Sequence, residues 1–299
     1  VILAPERAEI EKRQIQTIKF GTGIVLDVLN YSLIDNVIKD SPAEKAGVKA
    51  KDQITTINDI PVGYLSEQEV FYLLEGTQER QIKLGLKRLY DHFELSFSKV
   101  SLRTSSFRKK LLVTENKKEI LYLKVDDLLS SEASFELEKI LNLAKQKQVE
   151  NLVLDLRDNK GGLLENAIRI SEFFLEPGEI ILKIKSSWGE KIIKAQEKAL
   201  YRKKLVVLIN EETASSSEII AGSLKDNHRS KTIGLRSFGK GFAQRVRELP
   251  DGSLMHITVS KFFRPSGRQI DKLGVLPEIE INSSGVQILK AIEYLSLEN

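Results

Sequence analysis

The chain has no cysteine among its 299 residues, which excludes disulfides, thiol nucleophiles and cysteine-ligated metals. Histidine is scarce too. His92, His228 and His256 are the only three, far apart in sequence and in no metal-ligand spacing, so no metal or cofactor is expected. No run of about 18 apolar residues occurs, so nothing reads as a membrane span. Charge of one sign is not in excess either: 46 Lys and Arg against 42 Asp and Glu leave a net charge of +4. The basic clusters Arg108 to Lys110 and Arg202 to Lys204 have no interleaved aromatics, so they read as solvated faces rather than nucleic-acid sites. A chain opening at Val1 without an initiating Met, a basic n-region or an apolar h-region reads as a mature form or a trimmed piece, with any signal peptide outside it.

What is present starts with length and apolar content: 299 residues at 41% hydrophobic allow about two packed domains. The most informative stretch is TASSSEIIAGSLKDNHRSKTIGLRSFGKGFAQ, residues 213 to 244. It offers a hydroxyl, Ser215, and an amine, Lys240, on two turns 25 residues apart (240 minus 215). An unassisted serine is a poor nucleophile, and lysine is among the few side chains able to take its proton. A lysine in that role must be neutral at working pH, which needs its pKa to fall from about 10.4 to about 7 or 8. Phe238 and Phe242 could supply the apolar surface for such a shift. A Ser-rich turn before an Ala/Ile/Leu helix also reads as a plain N-cap, so from residue types alone both readings stand. Of the histidines, only His228, thirteen residues after Ser215, competes as a base.

Other segments set the frame. LVLDLRDNKGGLLENAIRISEFFL, residues 152 to 175, reads as a buried strand, a turn at Asp-Asn-Lys-Gly-Gly and an amphipathic helix from Leu163. Such a turn leaves free N–H groups pointing at whatever sits above it. A helix is expected from about Glu132 to Gln148, a strand over Leu205 to Asn210, and a β-rich tail. Strands alternating with helices argue for an α/β layered fold.

Taken together, these strings resemble the C-terminal processing (tail-specific) serine proteases. The Ser-rich run matches that family's Ser-Ala-Ser-Ala-Ser-Glu-Ile string, followed by its Phe-Gly-Lys-Gly. The resemblance implies Ser215 as nucleophile, Lys240 as general base and Gln244 as the side chain that orients the lysine. Ser216 stands where the family has Ala, and Ser217 is the competitor, suited to cap or brace the helix that begins near Glu218. The strand-turn-helix segment is similar to the family's Asp-Leu-Arg-Asn-Asn-Pro-Gly-Gly-Leu, with Lys160 in place of Pro. This implies an oxyanion hole from the Gly161 and Ser216 amides, with Gly162 an open alternative to Gly161. Residues 262 to 281 resemble the Pro-Ser-Gly-Arg and Gly-Ile-x-Pro-Asp segments, with Glu278 for Asp.

From Phe20 to Arg88 the chain looks like a PDZ domain, carried by the Ser41 to Asp52 pattern and the Phe20, Gly21, Thr22, Gly23, Ile24 loop. The resemblance implies that this loop holds a peptide's terminal carboxylate while the peptide adds to a sheet edge. The match weakens at Asn58-Asp59, where the family has Asn-Gly, and from Gly76 to Gln81. The expected organisation is a segment over 1–19, a PDZ-like β-rich domain over 20–88 and a protease core over 89–299, an α/β unit resembling the ClpP/crotonase fold. Arg88 and Lys87 are candidate contacts between domain and core. The implied function is a serine endopeptidase that recognises free protein C-termini outside the cytoplasm, most simply in a bacterial periplasm. It would need no cofactor or nucleic acid and leaves room for a homo-oligomer or an adaptor partner. A catalytically inactive PDZ-bearing peptide-binding adaptor is the alternative, and an esterase or amidase a third reading.

Overall fold

The computed structural model describes residues 2–3, 20–76, 81–101 and 105–297. Its contacts divide the chain into two units, one over 6–108 and the other over 1–5 and 109–299.

The first unit is built from short antiparallel strands around two helices. After β1 (Ile2–Leu3), which belongs to the second unit, come β2 (Phe20–Gly21), β3 (Ile24–Leu26) and β4 (Ile34–Val37). Helix α1 (Pro42–Ala46) follows, capped by the Ser41 hydroxyl at its start and by Gly47 at φ 95° at its end, the arrangement the Ser-Pro-Ala-Glu-Lys-Ala-Gly string encodes. Strands β5 (Gln53–Ile57) and β6 (Ile60–Pro61) form a hairpin whose Asn58 and Asp59 both sit at positive φ (49° and 67°). Asp tolerates that region, so the turn survives without the family's glycine. Helix α2 (Glu67–Leu74) starts with a Ser66/Glu69 capping box. Then come β7 (Glu75–Gly76), β8 (Gln81–Arg88), β9 (Asp91–Ser98) and β10 (Val100–Ser101). Strand β9 pairs with β8 along its whole length. The core is apolar and closed, with Ile34, Ile54, Ile57, Val70 and Leu84 at 0% exposure. Arg88 is engaged inside this unit, donating to both Asp52 oxygens (2.6 and 2.7 Å) and to the Gly47 carbonyl (2.8 Å). Residues 77–80 of the divergent Gly76 to Gln81 stretch lie outside the described residues.

The second unit carries a six-stranded sheet: β11 (Phe107–Val113), β12 (Glu119–Val125), β13 (Asn151–Asp155), β16 (Lys204–Ile209), β17 (Lys231–Gly234) and β20 (Ile279–Glu280), in that order. From β12 to β20 every neighbouring pair is parallel. Parallel pairs need crossovers; α3 (Ala133–Gln146), α4 (Leu164–Glu172) and α5 (Ser216–Asp226) lie in the first three, and the chain from β17 to β20 crosses through two further strands. Strand β13 is buried at all five positions, as a run of Leu and Val covered on both faces should be. A second, antiparallel sheet joins β14 (Ile180–Ser186), β15 (Gly189–Lys194), β18 (Phe242–Glu248) and β19 (Leu254–Phe263) with β1. Helix α6 (Ser284–Ser296) closes the chain. The expected helix and strand around 132–148 and 205–210 fall within two residues of α3 and β16.

A buried polar network anchors the end of β13. Asp155, fully buried, accepts from the Arg157 amide (2.9 Å) and guanidinium (2.5 Å) and from the Tyr122 hydroxyl. Arg157 also donates to Gln287 and to the Ser284 carbonyl of α6 (both 3.0 Å). Lys124 lies 3.7 Å from Asp155 and donates to the Arg157 carbonyl. Burial alone would raise the Asp155 carboxyl, but the Arg157 and Lys124 charges override it and hold it well below the usual carboxylate range. A depressed carboxylate stabilises the fold above its unfolded-state pKa, and that contribution is lost as pH falls toward the folded value. Replacing Asp155 by Asn should therefore cost about 3–5 kcal/mol by leaving Arg157 unpaired. Urea melts from about pH 5 down to about pH 2 should show less acid-dependent loss in the variant than in the parent.

Candidate active site

Where β16 ends, the chain makes a tight turn before α5. Thr213 Oγ1 donates to the Leu156 carbonyl (3.0 Å), and the Ala214 amide donates to the Asn159 carbonyl (3.0 Å). Ser215 follows at φ 55°, ψ −120°. A non-glycine residue there costs on the order of 1–3 kcal/mol and persists only where its surroundings over-determine it. They do so here. The Ser215 amide donates to Glu218 Oε2 (2.9 Å), and its carbonyl accepts the Glu218 and Ile219 amides (2.9 and 3.2 Å). The result is a half-buried serine on a strained strand-to-helix turn, at the end of α5 where unsatisfied amides gather.

Glu218 carries a second set of bonds. Its Oε1 accepts the Ser237 hydroxyl (2.6 Å) and the Gly239 amide (2.7 Å), and its Oε2 accepts the Lys240 amide (2.8 Å) as well as that of Ser215. A single oxygen thus holds the backbones of both Ser215 and Lys240. Burial pushes the Glu218 carboxyl up, while the bonds from Ser237, Lys240, Gly239 and Ser215 pull it down. The glycines flanking Lys240 are required by close approach: a Cβ on Gly241 would lie 2.1 Å from the Asp271 amide, and Gly239 (φ 91°) packs on Lys272.

The side chains are less converged than the backbones. Lys240 is exposed, and no hydrogen bond joins its amine to the Ser215 hydroxyl among the described residues. Phe238 is 64% exposed and does not bury the amine as the sequence suggests. Gln244 sits exposed on β18, opposite Thr258, with no hydrogen bond to Lys240. Engagement of the pair therefore requires Lys240 to be ordered, at about 1.5–2 kcal/mol of side-chain entropy. His228 lies in the turn beyond the far end of α5, about 16 Å along the helix axis from Ser215, and is exposed. That distance removes it as a base.

The glycine turn separates its two glycines by their neighbours. Gly161, at φ 92°, sits against the serine: a Cβ there would lie 2.8 Å from Ser215 Cβ and 2.9 Å from the Ser216 amide nitrogen. Gly162 packs instead on Leu128, where a Cβ would come within 2.1 Å of its carbonyl carbon. Both amides have internal acceptors. Gly161 donates to Asn159 Oδ1 (2.9 Å) and Gly162 to the Ser216 hydroxyl (2.5 Å). Asn159 Oδ1 also accepts the Ser217 hydroxyl (2.7 Å), so Ser217 braces the glycine turn rather than capping the helix. The Ser216 amide, first in α5, has no intrahelical acceptor. Lys160 is exposed and sits 3.6 Å from Glu212.

Sequence reasoning missed Glu218, Asn159 and the hydroxyl of Ser216. The Ser-x-x-Glu spacing of a capping box was legible for Glu218. Nothing in the sequence marks its bonds to residues more than twenty positions away.

A strained serine at a strand-to-helix junction, with amides converging beside it, is the arrangement that serine acyl-transfer enzymes share. The family follows from the match of residues 119–281, more than half of the chain, to the model described as Peptidase family S41: the chain belongs to that family. Residues 33–88 match a PDZ domain. A probable CtpA-like serine protease of Staphylococcus epidermidis is 30% identical over 276 residues, covering 91% of this chain and 55% of the relative. Its Staphylococcus aureus counterpart is 30% identical over 268 residues, covering 87% and 52%. The chain thus spans about half the length of the curated relatives it matches. Among solved structures, the photosystem II D1 C-terminal processing protease matches with a TM-score of 0.59 at 29% identity, covering 94% of this chain and 77% of that one.

Glu218→Gln keeps the side chain's size but turns one accepting oxygen into a donor, so one of the two pairs of bonds must break. Hydrogen bonds to a charged group are worth about 1.5–3 kcal/mol. The expected outcome is a loss of about 10- to 100-fold in kcat with KM nearly unchanged, read from peptide hydrolysis, in a protein that still melts cooperatively.

Proposed function

We propose that this chain is a serine endopeptidase of the C-terminal processing type. The carrying observation is the Glu218 carboxylate, which ties the strained turn of Ser215 to the loop of Lys240. In this reading the neutral Lys240 amine takes the Ser215 hydroxyl proton as Ser215 Oγ attacks the scissile carbonyl. Gln244 orients the amine, and the Gly161 and Ser216 amides hold the oxyanion. The Gly161 amide exchanges Asn159 Oδ1 for the substrate oxygen as the tetrahedral species forms. Lys240 returns the proton to the departing amine, and a water, activated the same way, hydrolyses the acyl-serine. The parallel sheet with a helix after each central strand supports a core of the ClpP/crotonase kind.

The PDZ-like unit would capture the substrate's free C-terminus. Two features support this. Strand β3 has a partner, β4, along one edge only among the described residues, which leaves the other edge for an added strand. In the adjoining loop the Thr22 amide donates to the Leu74 carbonyl (3.2 Å) and that of Ile24 to Thr22 Oγ1 (3.2 Å), whereas the amide of Gly23, at φ 85°, donates to no acceptor among the described residues. An extracytoplasmic setting rests on the family likeness alone. The second reading, a catalytically inactive peptide-binding adaptor, draws on the exposed Lys240.

The two readings part on variants of the dyad. Ser215→Ala, Lys240→Ala and Lys240→Arg should each abolish hydrolysis of an unstructured protein, with the Ser215/Lys240 double variant little worse than either single one. Ser217→Ala should be milder. Cleavage retained by Ser215→Ala would remove the dyad, and a parent chain that binds C-terminal peptides without cleaving them would favour the adaptor.

At Gly23 a Cβ would lie 2.2 Å from that of Ser41, so Gly23→Val should distort the loop. It should weaken cleavage of proteins with free apolar C-termini more than reaction of a short ester at Ser215. Rate comparisons on free and blocked C-termini check this.

A further inference from the structure

The Arg202 to Lys204 run reads from sequence as a solvated face, but in the structure it lines a cleft of about 1360 Å³. Lys117 and Lys118 join it from the turn before β12, Lys145 from the last turn of α3, and Lys198 from the loop before β16. Only Glu119 and Glu150 among the lining residues carry negative charge. Seven cations against two carboxylates leave a local excess of five, larger than the +4 of the entire chain. The residues outside the cleft therefore balance to a net charge of −1 (4 minus 5).

The cations fall into two groups. Lys118 and Lys204 donate to the Ser296 and Leu297 carbonyls at the end of α6 (2.8 and 2.7 Å), Arg202 pairs with Glu176 (2.7 Å), and Lys203 pairs with Glu150. These four are held in place by the fold. Lys117, Lys145 and Lys198 are exposed and make no side-chain hydrogen bond or ion pair among the described residues. Three like charges converging on one cleft repel one another, and a bound anion would relieve that repulsion.

We propose that this cleft binds a phosphate-bearing polyanion, a chain of phosphates without bases. Six of the seven cations are lysines, point charges suited to phosphate oxygens rather than the planar forks that single out one carboxylate. They come from several separate segments, which fits charges repeating along an extended ligand rather than one small ion. The sole aromatic in the lining, Tyr201, is buried at 3% exposure, so no platform exists on which bases could stack. A concave cleft favours an inserted chain over a flat bilayer. It opens where β12, β13 and β16 begin, at Glu119, Asn151 and Lys204, whereas the Gly161 turn and Ser215 follow the other ends of the strands. The five residues of β13 alone put about 17 Å between the two regions. Occupancy of the cleft is thus compatible with a working site.

The test is fluorescence anisotropy of labelled linear inorganic polyphosphate with the full chain at physiological salt. The parent should bind, with affinity falling as salt rises. The triple variant Lys117→Glu, Lys145→Glu, Lys198→Glu should bind about tenfold more weakly or worse, yet hydrolyse short peptides at the parent's rate. The charge-matched triple Lys39→Glu, Lys49→Glu, Lys51→Glu, in the other unit and not among the residues lining the cleft, should bind as the parent does. Should the first triple fail to fold by circular dichroism, the same three positions changed to Gln should show the weakened binding. Equal losses in both triples would reduce the effect to net charge and overturn the proposal. So would absence of polyphosphate binding by the parent, competition by orthophosphate as strong as by the polymer at equal phosphorus, or binding to phosphatidylglycerol vesicles alone.

Discussion

Two chain segments more than twenty residues apart meet at one buried carboxylate. Glu218 accepts four hydrogen bonds, three of them from backbone amides, with donors on both segments. A buried charge is tolerable only when its lone pairs are filled, so the carboxylate demands these donors as much as they need it. The glycines around Lys240 let the second segment come close enough, because a side chain at Gly241 would collide with Asp271. Remove the carboxylate and the amides of Ser215 and Lys240 lose their common acceptor, leaving the bond from the Phe238 amide to the Thr213 carbonyl (2.9 Å) between the two segments.

A second layer of support lies beneath the glycine turn. Asn159 donates to the Val125 carbonyl (2.8 Å) at the end of β12 and accepts from Gly161 and Ser217, so one amide side chain spans three segments. Asp155 and Arg157 fix the strand end from which that turn departs and carry the connection on to α6. The site is therefore built on strand ends tied by satisfied polar groups rather than on a free loop, which is how positions are held to fractions of an ångström.

Most of the architecture was legible because its signals are local. Alternating apolar runs announced β13 and β16, and capping residues announced α1 and the start of α5. The Ser215 and Lys240 candidates came from residue chemistry and from a family resemblance, and the chain's membership of peptidase family S41 agrees with that resemblance. Long-range facts stayed out of reach. Adjacent glycines look alike in sequence, and only the packing of Leu128 on one side and Ser215 on the other tells Gly162 from Gly161. The exposure of Lys240 and Phe238 depends on tertiary neighbours, which aromatic flanks in a sequence do not guarantee. The gathering of lysines into one cleft depends on which turns meet at one end of the sheet.

The backbone angle at Ser215 sets selection for durability against selection for chemistry at a single position. Glycine would accept φ 55° and ψ −120° without the steric penalty that a Cβ brings. A search for heat-resistant variants that ignored activity would be drawn to glycine there, and in taking it would discard the hydroxyl. Stability-guided redesign of this chain should therefore hold position 215 fixed and seek its gains elsewhere, since the least comfortable residue of the turn is also the proposed nucleophile.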